Sequence, residues 1–273
     1  MTGRADLGKV RAMTTTQASA TAVMPVGQLL RGWRERRHLS QLQLSTDAKV
    51  SARHLSFVEN GRSRPTPELI ERLADTMDVP LRERNDLLLS AGFAPRYPQR
   101  ALDAPQMQSV ASAFRMILDA HLPHPALVLD RWWDIVDRNS ATDLLLHGCA
   151  AELLEPPVNA IRLTLHPDGL APRISNLGQW RAHLIHQVHA RAERTADPRL
   201  WELLAEVRAY PGGDVDDTTA ADVVIPLRIN VGGHELSFFS VATAAQTAHD
   251  ITIDELQIEA FYPADQATTS ALG

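Results

Sequence analysis

Between Val26 and Ala91 the apolar residues recur at helical spacing, and polar residues suited to capping stand between the runs. Val26, Leu29, Leu30 and Trp33 fall at i, i+3, i+4 and i+7, one face of a helix. Ser40 is placed to cap a second helix that buries Leu44 and Ala48, with Val50 packing in the turn after it. Ser51 caps a third helix, whose inward residues are Leu55 and Val58, and Gly61 ends it. Thr66 and Pro67 open a fourth, with Ile70, Leu73, Ala74 and Met77 inward. A fifth covers Leu81 to Ala91.

Pro95, Pro98 and Pro105 then mark a linker. Helices are predicted over Gln106–His121, Ser140–Leu146, Leu177–Arg194 and Pro198–Arg208, and short strands over Ala126–Leu129 and Ile161–Leu165. The last third changes period. Ile225, Leu227, Ile229 and Val231 alternate with polar or turn residues, and Gly232-Gly233 offers a hairpin before Leu236–Val241. Leu256, Ile258, Ala260 and Tyr262 alternate again, which gives three antiparallel strands with one buried face. The predicted layout is a disordered tail over 1–23, a five-helix domain over 24–93, a linker over 94–105, an α+β domain over 106–265 and a C-terminal tail over 266–273.

The chain of 273 residues is long enough for two cores. Its one cysteine, Cys149, excludes an internal disulfide framework and a multi-cysteine zinc site. No apolar run approaches the roughly 20 residues needed to span a bilayer, and the N-terminus lacks the apolar stretch of a secretory signal. A cytoplasmic protein without a membrane partner is the expectation. The net charge of −6 is unevenly spread. Residues 24–100 carry 13 Arg/Lys against 9 Asp/Glu, whereas residues 101–273 carry 11 against 23. A basic front end on an acidic body fits a nucleic-acid module joined to one that does not touch nucleic acid.

The second and third helices have the layout of a helix-turn-helix, in which the outer face of the second element meets base edges in the major groove. With Leu55 and Val58 inward, Ser51, Ala52, Arg53, Ser56 and Phe57 lie toward DNA or flank it. Arg53 is the foremost base reader, since arginine binds guanine bidentately, and Phe57 is suited either to a thymine methyl or to the core. Gln41 and Ser51 sit at first helical turns, within reach of phosphates, and Arg62 and Arg64 follow the helix. Arg34 belongs either to a basic patch with Arg31, Arg36 and Arg37 or to a buried pair with Glu59.

Residues 26–92 resemble the lambda-repressor-like helix-turn-helix family, the xenobiotic-response-element regulators. The resemblance rests on Leu39-Ser40-Gln41, Leu44, Ala48, Val50-Ser51, Leu55, Val58-Glu59-Asn60-Gly61-Arg62 and Pro65. It implies phosphate contacts from Gln41, Asn60, Arg62 and Arg64, and an Arg34–Glu59 pair. Lys49 departs from the pattern, standing where many members have glycine at a positive φ. Residues 101–263 resemble the ligand-binding domain of MmyB-like regulators, through Ala126–Val136 with Asn139 and through Asp254–Pro263. That implies a PAS-like α+β fold with an apolar pocket for a fatty-acid-like amphiphile; separately, no cofactor is expected.

For such a pocket Trp132, Trp133, Ile135, Phe238 and Phe239 are candidate walls, and Asn139, Arg181, His183 and His186 candidate anchors for a carboxylate. His183, His186 and His189 recur every third residue, but they drift around a helix and have no fourth ligand, so no metal site is assigned. No phosphate-cradling loop or nucleophile elbow is present, which argues against an enzyme. The sequence therefore reads as a DNA-binding transcriptional regulator, a repressor, acting as a homodimer on an inverted repeat of double-stranded DNA under a small-molecule effector. The alternative is a protein-interaction module of antitoxin or scaffold type whose DNA binding is incidental.

Overall fold

In the computed structural model, which describes residues 24–212, 224–245 and 248–272, the five N-terminal helices start where the sequence supplies caps. They are α1 (Val26–Arg36), α2 (Gln41–Asp47), α3 (Ala52–Glu59), α4 (Pro67–Thr76) and α5 (Leu81–Ser90). Ser40 and Gln43 form a reciprocal capping box on α2. The Ser51 hydroxyl accepts from His54 N on α3, and the Thr66 hydroxyl accepts from Leu69 N on α4. Leu30, Trp33, Leu44, Leu55, Val58, Ile70, Leu73, Met77 and Leu87 pack into one buried core.

All five helices end in the same way. The residue after the cap takes a positive φ, at His38, Lys49, Gly61, Asp78 and Gly92. The next residue then donates its N–H back over the last turn: Leu39 to Arg34, Val50 to Ser45, Arg62 to Phe57, Val79 to Ala74 and Phe93 to Leu88. Lys49 thus has the left-handed backbone that its place in the turn requires. Helices α1 and α3 approach closely at Gly27, where an added Cβ would lie 2.3 Å from the Val58 carbonyl oxygen. Gly27→Ala is therefore expected to destabilise the domain by about 1–3 kcal/mol through overpacking, measured as a lower urea midpoint. An unchanged midpoint would show that the contact yields freely.

The remainder comprises α6 (Gln108–Ala120), β1 (Ala126–Leu129), β2 (Ile135–Arg138), α7 (Asp143–Leu146), α8 (Ala160–Leu165), α9 (Leu177–Thr195), α10 (Pro198–Ala209), β3 (Leu227–Val231), β4 (His234–Ala244), α11 (Ile251–Asp254), β5 (Gln257–Pro263) and α12 (Gln266–Leu272). The strands form one antiparallel sheet in the order β2-β1-β5-β4-β3. This is the expected α+β architecture, with four corrections.

Residues 161–165 are helical rather than extended. Asn159 caps α8 by accepting from Arg162 N, and Ile161, Leu163 and Leu165 are all buried because the short helix is covered on several sides. The sheet has five strands, not three, since β1 pairs with both β2 and β5. It is also covered on both faces. Leu127, Phe238 and Phe261 pack under α8, α9 and α10, while Ala126, Val128 and Ile258 pack under Leu118 of α6. Finally, residues 266–272 are a helix rather than a tail: Thr268 is buried and its hydroxyl accepts from Ser237 N at 2.8 Å. The predicted tail over 1–23 lies outside the described residues. No helix among the described residues is long and apolar enough to cross a membrane.

The two parts meet along an ion-paired seam. Arg82 of α5 donates to both Glu255 oxygens at 2.7 and 2.8 Å. Arg131 donates to Glu255 at 2.6 Å and to Glu83 at 3.0 Å, and lies 3.0 Å from Asp197. The proline-rich connection is itself fastened. Asn85 Oδ1 accepts from the Arg96 and Tyr97 amides, and Arg100 pairs with Asp250 at 2.8 Å.

Candidate nucleic-acid interface and ligand cavity

Helix α3 presents one side to solvent. Leu55, Val58 and Glu59 are buried against the bundle, whereas Ser51, Ala52, Arg53 and His54 are exposed, and Ser56 and Phe57 are half-buried between them. The Arg53 guanidinium lies over the Phe57 ring at 5.3 Å. The aromatic thus props the longest exposed donor on this face, and Phe57 does not enter the core. Asn60 is exposed and its amide turns back to the Ser56 carbonyl at 2.8 Å. Arg62 is exposed just beyond it.

Two further residues on this face are engaged elsewhere. Gln41 donates to Glu59 Oε2 at 2.8 Å, from the first turn of α2. Arg64 donates to the Ala91 carbonyl at 2.8 Å and leans on Phe93, so its guanidinium fastens the loop to the end of α5. Arg34 takes the buried role: it donates to both Glu59 oxygens at 2.7 and 3.0 Å and to the Leu39 carbonyl at 2.8 Å. Its hydrogen bonding to Glu59 holds the Arg34 guanidinium above its usual value, against the opposing effect of burial. Glu59 therefore ties α1, α2 and α3 together directly behind the exposed face.

The second domain holds two adjoining spaces under α9. The inner one, about 50 Å³, is walled by apolar residues such as Leu127, Leu145, Leu163, Leu184 and Phe261. The outer one, about 580 Å³, is polar, with His183, His186, Arg191, Arg194, Ser240 and Gln257 on its walls. Trp133, Gln187 and Glu259 border both. Arg191 stacks over the Trp133 ring at 3.7 Å. Burial pushes its guanidinium down to about 10. Burial also lowers His183, favouring the neutral imidazole, and raises the Glu259 carboxyl.

Of the sequence-predicted ligand residues, Trp133, Ile135, His183 and His186 are brought to these spaces, and the others are not. Trp132 donates its indole N–H to Asp197 at 2.8 Å and is flanked by Arg131 and Arg199. Asn139 is buried and holds the β1–β2 hairpin to the end of α6 through Ala126 N, the Leu118 carbonyl and the His124 carbonyl. Arg181 caps α10 by donating to the carbonyls of Val207, Arg208 and Tyr210. Phe238 is core, and Phe239 stacks on Tyr262 on the other face of the sheet. His189 turns to Trp201 and Glu193. Among the described residues no three metal-ligating side chains stand together.

Sequence reasoning missed Gln187, Arg191, Arg194 and Glu259. The first three follow His183 at near-multiples of four, so a helical projection of α9 would have found them.

A family model described as the MmyB-like transcription regulator ligand binding domain matches residues 110–273, and a helix-turn-helix domain model matches residues 25–87. The uncharacterized HTH-type transcriptional regulator RghRB of Bacillus subtilis is 28% identical over 122 residues, covering 44% of this chain and 86% of that protein. The HTH-type transcriptional repressor RghR of the same organism is 40% identical over 68 residues, covering 24% of this chain and 48% of that one, about half its length. Among solved structures, an RNA-binding light-oxygen-voltage receptor aligns with 96% of this chain and 67% of its own, at 13% identity and a TM-score of 0.32.

Proposed function

Because the chain belongs to the MmyB-like transcription regulators, a helix-turn-helix reader joined to a ligand-binding domain, we propose that it works in the cytoplasm as a homodimeric repressor on an inverted repeat. The observation that carries this reading is the outward face of α3, where Arg53, propped by Phe57, projects from a helix fixed behind by Leu55, Val58 and Glu59. A single reader of this size touches few base pairs, so two on half-sites one helical turn apart supply affinity and specificity. Ser51, Ala52, Arg53, Ser56 and Phe57 face the groove, while Gln41, Asn60 and Arg62 contact phosphates. Arg64 would join them only by leaving Ala91. The similarity to a protein named a transcriptional repressor supports the sign of regulation.

The effector in this reading is a small apolar or amphiphilic molecule of fatty-acid-like character. Its apolar part enters the space beside Leu163 and Leu184, and its polar end meets His183, His186 and Arg191. Such a ligand acts only through a difference in affinity between two arrangements of the protein.

The test is selection from a random DNA library by the purified protein at moderate salt, with Arg53→Ala beside it. The expected outcome is an enriched inverted repeat whose half-site centres lie about 10 base pairs apart. The variant should bind that repeat roughly 10- to 100-fold more weakly, the range for losing one bidentate base contact. Enrichment of no sequence, or equal binding by Arg53→Ala, would overturn the assignment of α3 as the reader.

A further inference from the structure

Between α5 and the second domain lies a cavity of about 170 Å³. A water needs only about 10–15 Å³, so this space admits a small organic molecule. Its walls carry opposite charges. Glu83 of α5, Asp254 of α11 and Glu255 supply negative charge, and Arg131 together with Arg191 and Arg194, in the last turns of α9, supplies positive charge.

These charges are incompletely matched. Glu83 Oε1 accepts from Arg131 at 3.0 Å, but Glu83 Oε2 is buried with no hydrogen-bond partner. Arg131 is itself shared with Glu255 and Asp197. Asp254 Oδ2 receives a long 3.5 Å bond from Leu81 N. Arg191 donates to two neutral acceptors, the Arg131 carbonyl at 3.3 Å and Gln257 Oε1 at 2.7 Å. Burial pushes the Glu83 and Asp254 carboxyls up and the Arg191 guanidinium down. Asp254, Arg191 and Arg194 thus border one ligand-sized gap with no ion pair among them, and Glu83 shares its one cation, Arg131, with two other carboxylates. A half-buried charge short of partners, as at Glu83, Asp254 and Arg191, carries a desolvation cost that a bound molecule of complementary charge would offset.

We propose that this seam cavity is a second effector site, adjoining the polar cavity at Arg191, that takes a small zwitterion. Its cationic group sits beside Asp254 and the Glu83 carboxylate, and its anionic group sits on Arg191 and Arg194. A lone anion would leave Asp254 without a cation, and a lone cation would leave Arg191 and Arg194 without an anion. The bound molecule would bridge the DNA-reading domain to the ligand-binding domain. Any effect on DNA affinity rests on the function proposed above; the binding itself does not.

The test is isothermal titration of the full chain with glycine, 4-aminobutyrate and 6-aminohexanoate, beside butyrate and butylamine as single-charge controls. One zwitterion is expected to bind at least about ten-fold more tightly than either control. Glu83→Gln and Asp254→Asn, each checked for folding by circular dichroism, should each weaken that binding by about ten-fold, while His186→Ala in the polar cavity leaves it unchanged. If one seam variant fails to fold, the other still decides. The proposal is overturned if no zwitterion exceeds its single-charge controls, or if His186→Ala abolishes binding while the seam variants keep it.

Discussion

Replacing Arg34 by alanine is expected to destabilise the DNA-reading domain by about 3–5 kcal/mol, a large part of the 5–15 kcal/mol that holds a typical domain folded. The Glu59 side chain is 1% exposed and accepts twice from Arg34. Without the guanidinium, only Gln41 remains on that carboxylate, and the Leu39 carbonyl loses its donor. Most of the cost is a buried charge left unmatched rather than the net worth of the pair. Arg34→Met combined with Glu59→Leu should therefore recover much of what either single change loses. Hydrogen exchange of the α1 and α3 amides under urea resolves the three variants. A double variant no better than the worse single one would show that the ion pair is itself strongly stabilising.

Trp133→Ala carries the second large effect, about 3–5 kcal/mol in the ligand-binding domain. The indole is 2% exposed, borders both spaces under α9 and bears the Arg191 guanidinium at 3.7 Å. Alanine relieves no backbone strain, because φ at this position is +64° and any residue with a Cβ shares the penalty. The turn itself should persist, since Asp130 Oδ1 accepts from both Trp132 N and Asp134 N. Urea unfolding should show the ligand-binding transition moving to lower denaturant while exchange protection in α1–α5 stays in place. Equal loss in both domains would mean that this turn supports the seam rather than the cavity.

Much of the DNA-reading domain was legible because its information is local. Ser40, Ser51 and Thr66 cap the helices that follow them, and the period of Leu55 and Val58 sets which side of α3 is free. The ligand-binding domain was less legible because its decisive partners are distant in sequence. Asn139 and Arg181 looked like anchors for a ligand, yet each satisfies carbonyls of its own chain, a demand that appears only once α6 and α10 are in place. Residues 161–165 alternate as a strand would, but they wind into a helical turn on which Ile161, Leu163 and Leu165 are all buried while Arg162 and Thr164 stay half-exposed. Glu259 follows the polar period of β5 and still faces inward, since helices cover both sides of the sheet.

The five identical helix ends also set how the reading domain can vary. Three of the left-handed positions hold His38, Lys49 and Asp78, where glycine would be the least strained choice. The side chain at such a corner is negotiable at about 1 kcal/mol. The number of residues is not. Adding one would break the backward hydrogen bond and draw Leu39, Val50 or Val79 out of its packing. Among homologous sequences, the corners of this module should therefore tolerate substitution freely and insertion hardly at all.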